Sequence, residues 1–390
     1  MSSPTIFISA GELSGDMHGG ALVEAMKTLM PGARFVGVGG DTMQRAGVEL
    51  LSHLSNFGGV MGFSAVFKKL KEIYRIFRRC RVYLQQHRPQ LLIVIDFPDF
   101  NLRLAKAAKK LDIPVLYFIP PKVWAWREGR VRDLKQACAH IATILPFEEA
   151  FYQKHQYEDV SFVGHPFCDA PSLHLSLDAK QAAKESIFQE LGFDPVAPTL
   201  LVLAGSRKQE IALHMPVVQG AVEQMKRQMP ALQVIFSQAP TIPSLSIAPQ
   251  HASWMQCSTI SSRTLMQICD AGIIKSGTST LEAAFAALPS LCIYKTTPGA
   301  AFVARHLVGV SSIALPNLIC AGTIPELVQD NCTVDTVARE ALSLFDPSVR
   351  ERMMHKFQQV QQACQPSEEG KGSAYERVAS IANKLCGEHQ

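Results

Sequence analysis

The chain has no segment approaching the ~18 consecutive apolar residues of a membrane-spanning helix. Its N-terminus, MSSPTIFISAGELSGD, lacks both a basic leader and an apolar run long enough for a signal peptide. A cytoplasmic protein is expected, one that can still lie on a membrane surface. The ten cysteines never cluster: the closest pairs, Cys257/Cys269 and Cys320/Cys332, stand twelve positions apart (269 − 257 = 332 − 320 = 12). With no CxxC there is no zinc-type spacing, and the cysteines read as reduced thiols. No Asp-x-Asp pair occurs, which argues against a metal–diphosphate scheme. GxSxG and HExxH are missing, so the usual hydrolase and zinc-protease signatures have no support. GxGxxG and GxxxxGK[ST] are missing as well, which speaks against a dinucleotide-dependent oxidoreductase. A net charge of +4 is too small to point to nucleic acid, and there is no fixed-period repeat or low-complexity tract.

What is present is an ordinary globular composition, 47% hydrophobic and 18% charged, over 390 residues. That length suggests two domains. Short β-rich runs alternate with helical patterns: TIFISAG (5–11), ARFVGVGG (33–40), LLIVID (91–96), PVLYFI (114–119) and ATILPF (142–147). The alternation restarts with TLLVLAGS (199–206), LQVIFSQAP (232–240), SWMQCS (253–258), AGIIKSG (271–277), SLCIYKT (290–296) and SIALPN (312–317). Strands alternating with helices over short loops imply parallel sheets covered on both faces. The economical architecture is α/β, two Rossmann-like domains with parallel sheets facing across a cleft. The expected divisions are 1–168, a linker at 169–197 containing a helical piece ended by Gly192, a second domain at 198–346, and C-terminal helices over 347–390 packing back towards the first domain. SAYE (373–376) is a capping box for the final helix.

Ligands of such sheets sit beyond the carboxyl ends of the strands, where several motifs of this chain fall. AGSRKQE (204–210) joins a strand to a helix. Gly205 permits close backbone approach, Ser206 can cap, and Arg207 can pair bidentately with a phosphate; a capped turn with a solvated arginine fits equally. KSGTSTLE (275–282) repeats the logic with Gly277, Thr278 and Ser279. Glu282 can take both ribose hydroxyls or complete a capping box with Ser279. GELSGDMHGG (11–20) offers Glu12, Ser14, Asp16 and His18 to a cleft, or is a tight turn of small residues. PPKVWAWREGRVR (120–132) places Trp124, Trp126 and Arg127 where they can stack on a sugar or acyl chain and hold phosphate; core tryptophans are the plainer alternative. His165 in FVGHP follows another strand at the domain junction, in a cleft or in a simple turn. The helix near 66–84 carries an apolar stripe of Val66, Leu70, Ile73, Phe77, Cys80 and Leu84. Its other faces hold Lys68, Lys69, Lys71, Arg75, Arg78 and Arg79 against one acid, Glu72. A solvated basic side and one that meets anionic lipid both fit.

Together GELSGD, FVGVGGDTMQRAG, VMG (60–62), IDFPDFN, VWAWR, ILPFE, FVGHP, GSR with Glu210, SGTSTLE, LPN and PEL resemble, in family order and over nearly the whole chain, the lipid-A-disaccharide synthases. The resemblance implies an inverting, metal-independent glycosyltransferase of GT-B architecture with no cofactor. It would join UDP-2,3-diacylglucosamine to 2,3-diacylglucosamine 1-phosphate (lipid X) at the cytoplasmic face of the inner membrane. Its implied partners are those two substrates and an anionic lipid surface, with a homodimer considered and no nucleic acid. It maps the diphosphate onto Ser206 and Arg207, the ribose onto Glu282, and puts Asn317 of LPN near the nucleotide. Another UDP-sugar enzyme, such as a UDP-N-acetylglucosamine epimerase, is the alternative. Three positions depart from the family pattern: Ala65 where Glu is usual, AGSR for PGSR, and Lys122 where a small polar residue is usual.

An inverting transfer needs a base. Of the two acids in LLIVIDFPDFN, Asp96 ends the strand where burial can raise its pKa. Asp99 stands where it can cap the next helix, which would lower its own. Asp96 is therefore the expected base and Asp99 the expected cap.

Overall fold

The computed structural model describes residues 3–57, 63–125, 128–238, 253–297, 312–366 and 372–387, with the backbone alone at 56, 57 and 63–70. The chain forms two compact units, Met1–Pro166 with Pro366–Gln390, and Phe167–Gln365. VMG at 60–62, Trp126 and Arg127 lie outside the described residues.

The first unit is built on seven parallel strands: β1 (Thr5–Ala10), β2 (Arg34–Gly39), β3 (Glu49–His53), β4 (Leu91–Ile95), β5 (Val115–Phe118), β6 (His140–Thr143) and β7 (Val160–Phe162). Their order is β3-β2-β1-β4-β5-β6-β7. Side chains alternate between two buried faces, as a strand's two-residue period requires. Phe7, Leu92, Val94 and Tyr117 meet helices Phe63–His87, Pro98–Lys109 and Arg130–Ala137 on one face. Ile6, Ile8, Ile93, Ile95, Leu116 and Phe118 meet helices Leu13–Leu29 and Ala374–Gly387 on the other. The final helix thus completes the first unit's core, and its capping box is present: Ser373 N donates to Glu376 Oε2 at 2.6 Å and Glu376 N to Ser373 Oγ at 3.2 Å.

The second unit has six parallel strands: β8 (Thr199–Leu203), β9 (Gln233–Ser237), β10 (Met255–Ser258), β11 (Ala271–Lys275), β12 (Ser290–Tyr294) and β13 (Glu326–Val328), in the order β10-β9-β8-β11-β12-β13. Helix Leu177–Leu191, capped by Ser176 and stopped at Gly192 in the left-handed region, lies in this unit, as does helix Pro347–Ala363.

The expected strand SIALPN is not one. Pro316 lacks the N–H a ladder needs and instead opens the short helix Leu315–Ile319, while the sixth strand is formed by ELV further on. The short edge strand β3 was not anticipated, whereas β7 is the strand expected before His165. In both sheets the chain reverses its winding direction between two neighbouring strands, β1 and β4 in one, β8 and β11 in the other. Ligands of doubly wound sheets bind at such switch points.

Candidate active site

Asp96 is the first residue beyond β4, at the switch point of the first sheet. It and Phe97 are both left-handed, each with φ of 47°, so the chain turns sharply before Pro98 starts the next helix. The Asp96 main-chain oxygen is held by Asn101 Nδ2 at 2.8 Å and the Tyr117 hydroxyl at 2.9 Å. Burial, then the negative charge of Glu12, lifts the Asp96 carboxyl above its ordinary range, against the Phe97 amide and the Lys122 ammonium. A half-buried, destabilised carboxylate at a strand end is what a general base requires.

Asp99 is not the helix cap. The helix begins at Pro98 with Phe97 as N-cap and no side-chain cap bond. Asp99 lies inside the first turn, where its charge still complements the helix dipole, and it accepts from Arg130 Nη2 at 2.7 Å.

Of the GELSGDMH residues, Glu12 and Ser14 are exposed at the end of β1. Asp16 is a structural acid rather than a cleft residue. It is buried, and its carboxylate accepts from the amides of Gly40 (2.6 Å), Thr42 (2.9 Å) and Met43 (3.0 Å), tying the first helix to the start of helix Asp41–Arg45. His18 is half-buried, with Nδ1 2.9 Å from the Tyr375 hydroxyl. His165 is buried after β7.

Trp124 donates from Nε1 to Glu148 Oε1 at 2.9 Å and meets Phe147 edge to face. Its N–H is therefore committed to the protein. Glu148, which the sequence showed only as part of ILPFE, is buried, accepts also from the Leu145 amide at 3.1 Å, and is pushed up to about 6 by burial. Lys122 reaches solvent, yet the protein around its ammonium lowers its pKa, opposed by Glu148 and Asp96. Asp96, Lys122 and Arg130 line one pocket of about 240 Å³.

In the second unit both nucleotide-type motifs converge. Gly205 and Ser206 after β8, and Ser276, Gly277, Thr278 and Ser279 after β11, line a pocket of about 480 Å³ at the second switch point. Gly205 has φ of +136°, and a Cβ there would lie 2.8 Å from the Glu210 Cβ. Glu210 organises the loop: it accepts from the Ser206 amide at 3.1 Å and from Lys275 Nζ at 3.0 Å, and is 3.5 Å from Arg207. Burial pushes its carboxyl up, but the Lys275 bond and charge, the Ser206 amide and Arg207 together hold it below the ordinary value. Arg207 remains largely exposed at the N-cap of helix Lys208–Gln228.

Two further expected nucleotide contacts, Glu282 and Asn317, are not among the residues lining this pocket. Glu282 pairs with Arg263 at 2.8 Å. It makes no capping box with Ser279, because helix Thr278–Phe285 is capped by Gly277 with no side-chain bond. Asn317 is buried and stitches its short helix to the strand that follows. It donates to the Ile324 oxygen (2.9 Å) and Glu326 Oε1 (2.7 Å), and accepts from the Ile324 amide (2.9 Å).

On helix Phe63–His87 the buried stripe is Ile76, Cys80 and Leu84, flanked by Ile73 and Phe77. Ile76 was missed because the expected stripe ran through Ile73 and Phe77, one step round the helix. Lys71, Arg75, Arg78 and Arg79 are exposed, with Arg75 paired to Glu72; the Lys68 and Lys69 side chains lie outside the described residues. No helix among the described residues is long and apolar enough to cross a membrane.

Two doubly wound parallel-sheet units, one carrying a phosphate-type loop pocket and the other a strand-end carboxylate, define a GT-B glycosyltransferase architecture. Solved structures agree on the fold: the S. aureus MnaA–UDP structure (TM-score 0.67, 13% identity, 98% of this chain and 97% of that one) and UDP-GlcNAc 2-epimerase from Neisseria meningitidis bound to UDP-GlcNAc (TM-score 0.60, 12% identity, 97% and 99%). At sequence level, the family model described as lipid-A-disaccharide synthetase matches residues 6–379. The lipid-A-disaccharide synthase of Nitrosococcus oceani is 40% identical over 361 residues, 91% of each chain. That of Geobacter sulfurreducens is 36% identical over 391 residues, covering 99% of this chain and 98% of its own. The chain belongs to the lipid-A-disaccharide synthase family and is a hexosyltransferase that forms the lipid A disaccharide; the epimerase alternative is not favoured.

Proposed function

We propose that the chain transfers the diacylglucosamine of UDP-2,3-diacylglucosamine to the 6-hydroxyl of 2,3-diacylglucosamine 1-phosphate, with Asp96 as the general base. The acceptor oxygen attacks the anomeric carbon as the bond to UDP breaks. UDP leaves with the bonding electrons, the hydroxyl proton passes to Asp96, and the configuration inverts to a β-1,6 linkage. The single observation that carries this reading is the Asp96 carboxyl, fixed at a sheet switch point with its proton affinity raised by burial and by Glu12. Charge on the departing diphosphate is met by the loop amides around Ser206 and Gly277, by Arg207 and by the helix start behind it. The acylated substrates favour the bilayer by ~0.8 kcal/mol per buried CH₂, so the enzyme works on the cytoplasmic membrane surface through the cationic side of helix Phe63–His87.

UDP release measured with and without acceptor tests the reaction. Release that needs the acceptor supports it; release without acceptor points to hydrolysis or epimerisation. Asp96→Asn folds and loses most turnover, and a wild-type kcat in that variant would remove Asp96 from the base position.

A further inference from the structure

The pocket that holds Asp96 also presents two cations from separate elements. Lys122 comes from the loop after β5 and Arg130 opens helix Arg130–Ala137. Arg130 is held by Asp99 at 2.7 Å with its own side chain only 23% exposed. Among the described residues the Lys122 ammonium has no hydrogen-bond or ion-pair partner, and Glu148 and Asp96 act on it through space. The remaining walls, Pro98, Ile119, Pro120, Pro121 and Val123, carry no charge, so the only acids acting on the two cations are Asp99 on Arg130 and, through space, Glu148 and Asp96 on Lys122. At about 240 Å³ the pocket falls below the roughly 300 Å³ at which small-molecule pockets usually start, so it suits a compact head group and not an acyl chain. Cationic donors converging from two directions match the several oxygens of a phosphate monoester. This pocket is lined by residues of the first unit, whereas the Gly205–Gly277 pocket is lined by residues of the second.

We infer that this pocket receives the 1-phosphate of the acceptor, held between Lys122 and Arg130, so that the same sugar's 6-hydroxyl is presented to Asp96. The inference rests on the reaction proposed above. Lys122 and Arg130 are then the residues that make the enzyme select a phosphorylated acceptor. A phosphate seated here also adds negative charge beside Asp96, which favours proton acceptance by the base.

The test compares the full-length enzyme on two acceptors in mixed micelles: 2,3-diacylglucosamine 1-phosphate and the same sugar without phosphate. Lys122→Met and Arg130→Gln should each lower kcat/KM for the phosphorylated acceptor roughly ten- to hundredfold, the loss of one charge-assisted bond. Read on the alkaline plateau, where Asp96 is ionised in every variant, their kcat/KM for the phosphate-free acceptor should fall far less than for the phosphorylated one, and Lys122→Arg should recover most of the preference. Equal losses on both acceptors, an unchanged preference, or a rise confined to the KM for the UDP-sugar would overturn the assignment. Asp96→Asn keeps the two claims apart. If that variant turns over normally while Lys122→Met still loses its preference, the base assignment fails and the phosphate site stands.

Discussion

Asn101 Nδ2 donates to the main-chain oxygen of Asp96 at 2.8 Å, from a side chain with no exposed surface. The same amide reaches the Ile95 oxygen at 3.0 Å and the Ser9 oxygen at 3.3 Å, while its own oxygen accepts from Ser9 Oγ at 2.7 Å. Two N–H protons thus serve three carbonyls at the junction of β1, β4 and the following helix. Left-handed φ at Asp96 and Phe97 costs of order 1–3 kcal/mol per residue, and this clamp, with the Tyr117 hydroxyl, offsets it. Asn101→Leu should destabilise the protein by ~1–3 kcal/mol through orphaned carbonyls. It should also lower kcat about 10²-fold as the base drifts from its position. Urea unfolding and UDP release measure the two effects. A destabilised variant with wild-type kcat would show that the clamp supports the fold without aiming the base.

The pH profile follows from the charges around Asp96. A base must be ionised, so kcat/KM falls as pH drops through the Asp96 pKa, at a pH above the ordinary carboxylate value of about 3.9. Glu12 raises that pKa and Lys122 lowers it. Glu12→Gln should therefore move the acid limb down, and Lys122→Met should move it up. Identical limbs in wild type and Glu12→Gln would mean the two carboxylates do not feel each other.

Stability has the opposite requirement at the same sites. Glu148 is pushed from 4.5 to about 6 in the folded state. Between those values the unfolded chain has released a proton that the folded chain retains, so stability falls as pH rises through that window. Its contribution is fully present below 4.5 and lost above about 6. Asp96 acts in the same direction, which makes Asp96→Asn at least as stable as wild type at pH 7. Thermal unfolding across pH 4 to 8 tests both, and a wild-type curve that rises between pH 4.5 and 6 in step with the Glu148→Gln variant would contradict the Glu148 assignment.

The architecture was legible because both sheets are buried on both faces, which produces apolar runs such as LLIVI and TLLVL. The switch-point loops were legible because GSR and SGT interrupt those runs. What escaped detection depended on partners remote in sequence. Nothing near Asp16 indicates that it caps a helix at residue 41, and nothing near Asn317 shows that it is saturated by Ile324 and Glu326. Asp99 failed as a cap for a local reason: proline at the first helical position and a left-handed Phe97 as N-cap start the helix two residues earlier. Asn101 could be quoted within IDFPDFN but its grip on Asp96 could not, because it requires β1 and β4 side by side.

In the pocket proposed to hold UDP the decisive contact is Gly205 against Glu210. An alanine Cβ would stand 2.8 Å from a β-carbon and 2.9 Å from a carboxylate oxygen already bonded to Ser206. The β-carbon cannot swing aside, so Gly205→Ala should shift the loop and weaken UDP binding at least tenfold by calorimetry. Arg207→Ala, removing one exposed charge-assisted contact, should cost roughly tenfold. Unchanged UDP affinity in both variants would place the nucleotide elsewhere.

The proposed membrane attachment can be tested apart from catalysis because the two faces of helix Phe63–His87 are separated. Ile76, Cys80 and Leu84 are buried, whereas Arg75, Arg78 and Arg79 are exposed. Each cation near an anionic surface contributes ~1 kcal/mol, so replacing all three by glutamine should weaken binding to phosphatidylglycerol vesicles by ~3 kcal/mol, a factor of order 10². Unfolding should be unaffected, since no replaced side chain lies in the core. Turnover on micellar substrates should persist, while turnover on substrates embedded in anionic vesicles should fall with binding. Vesicle binding that survives the triple replacement and is insensitive to salt would exclude this face as the electrostatic contact.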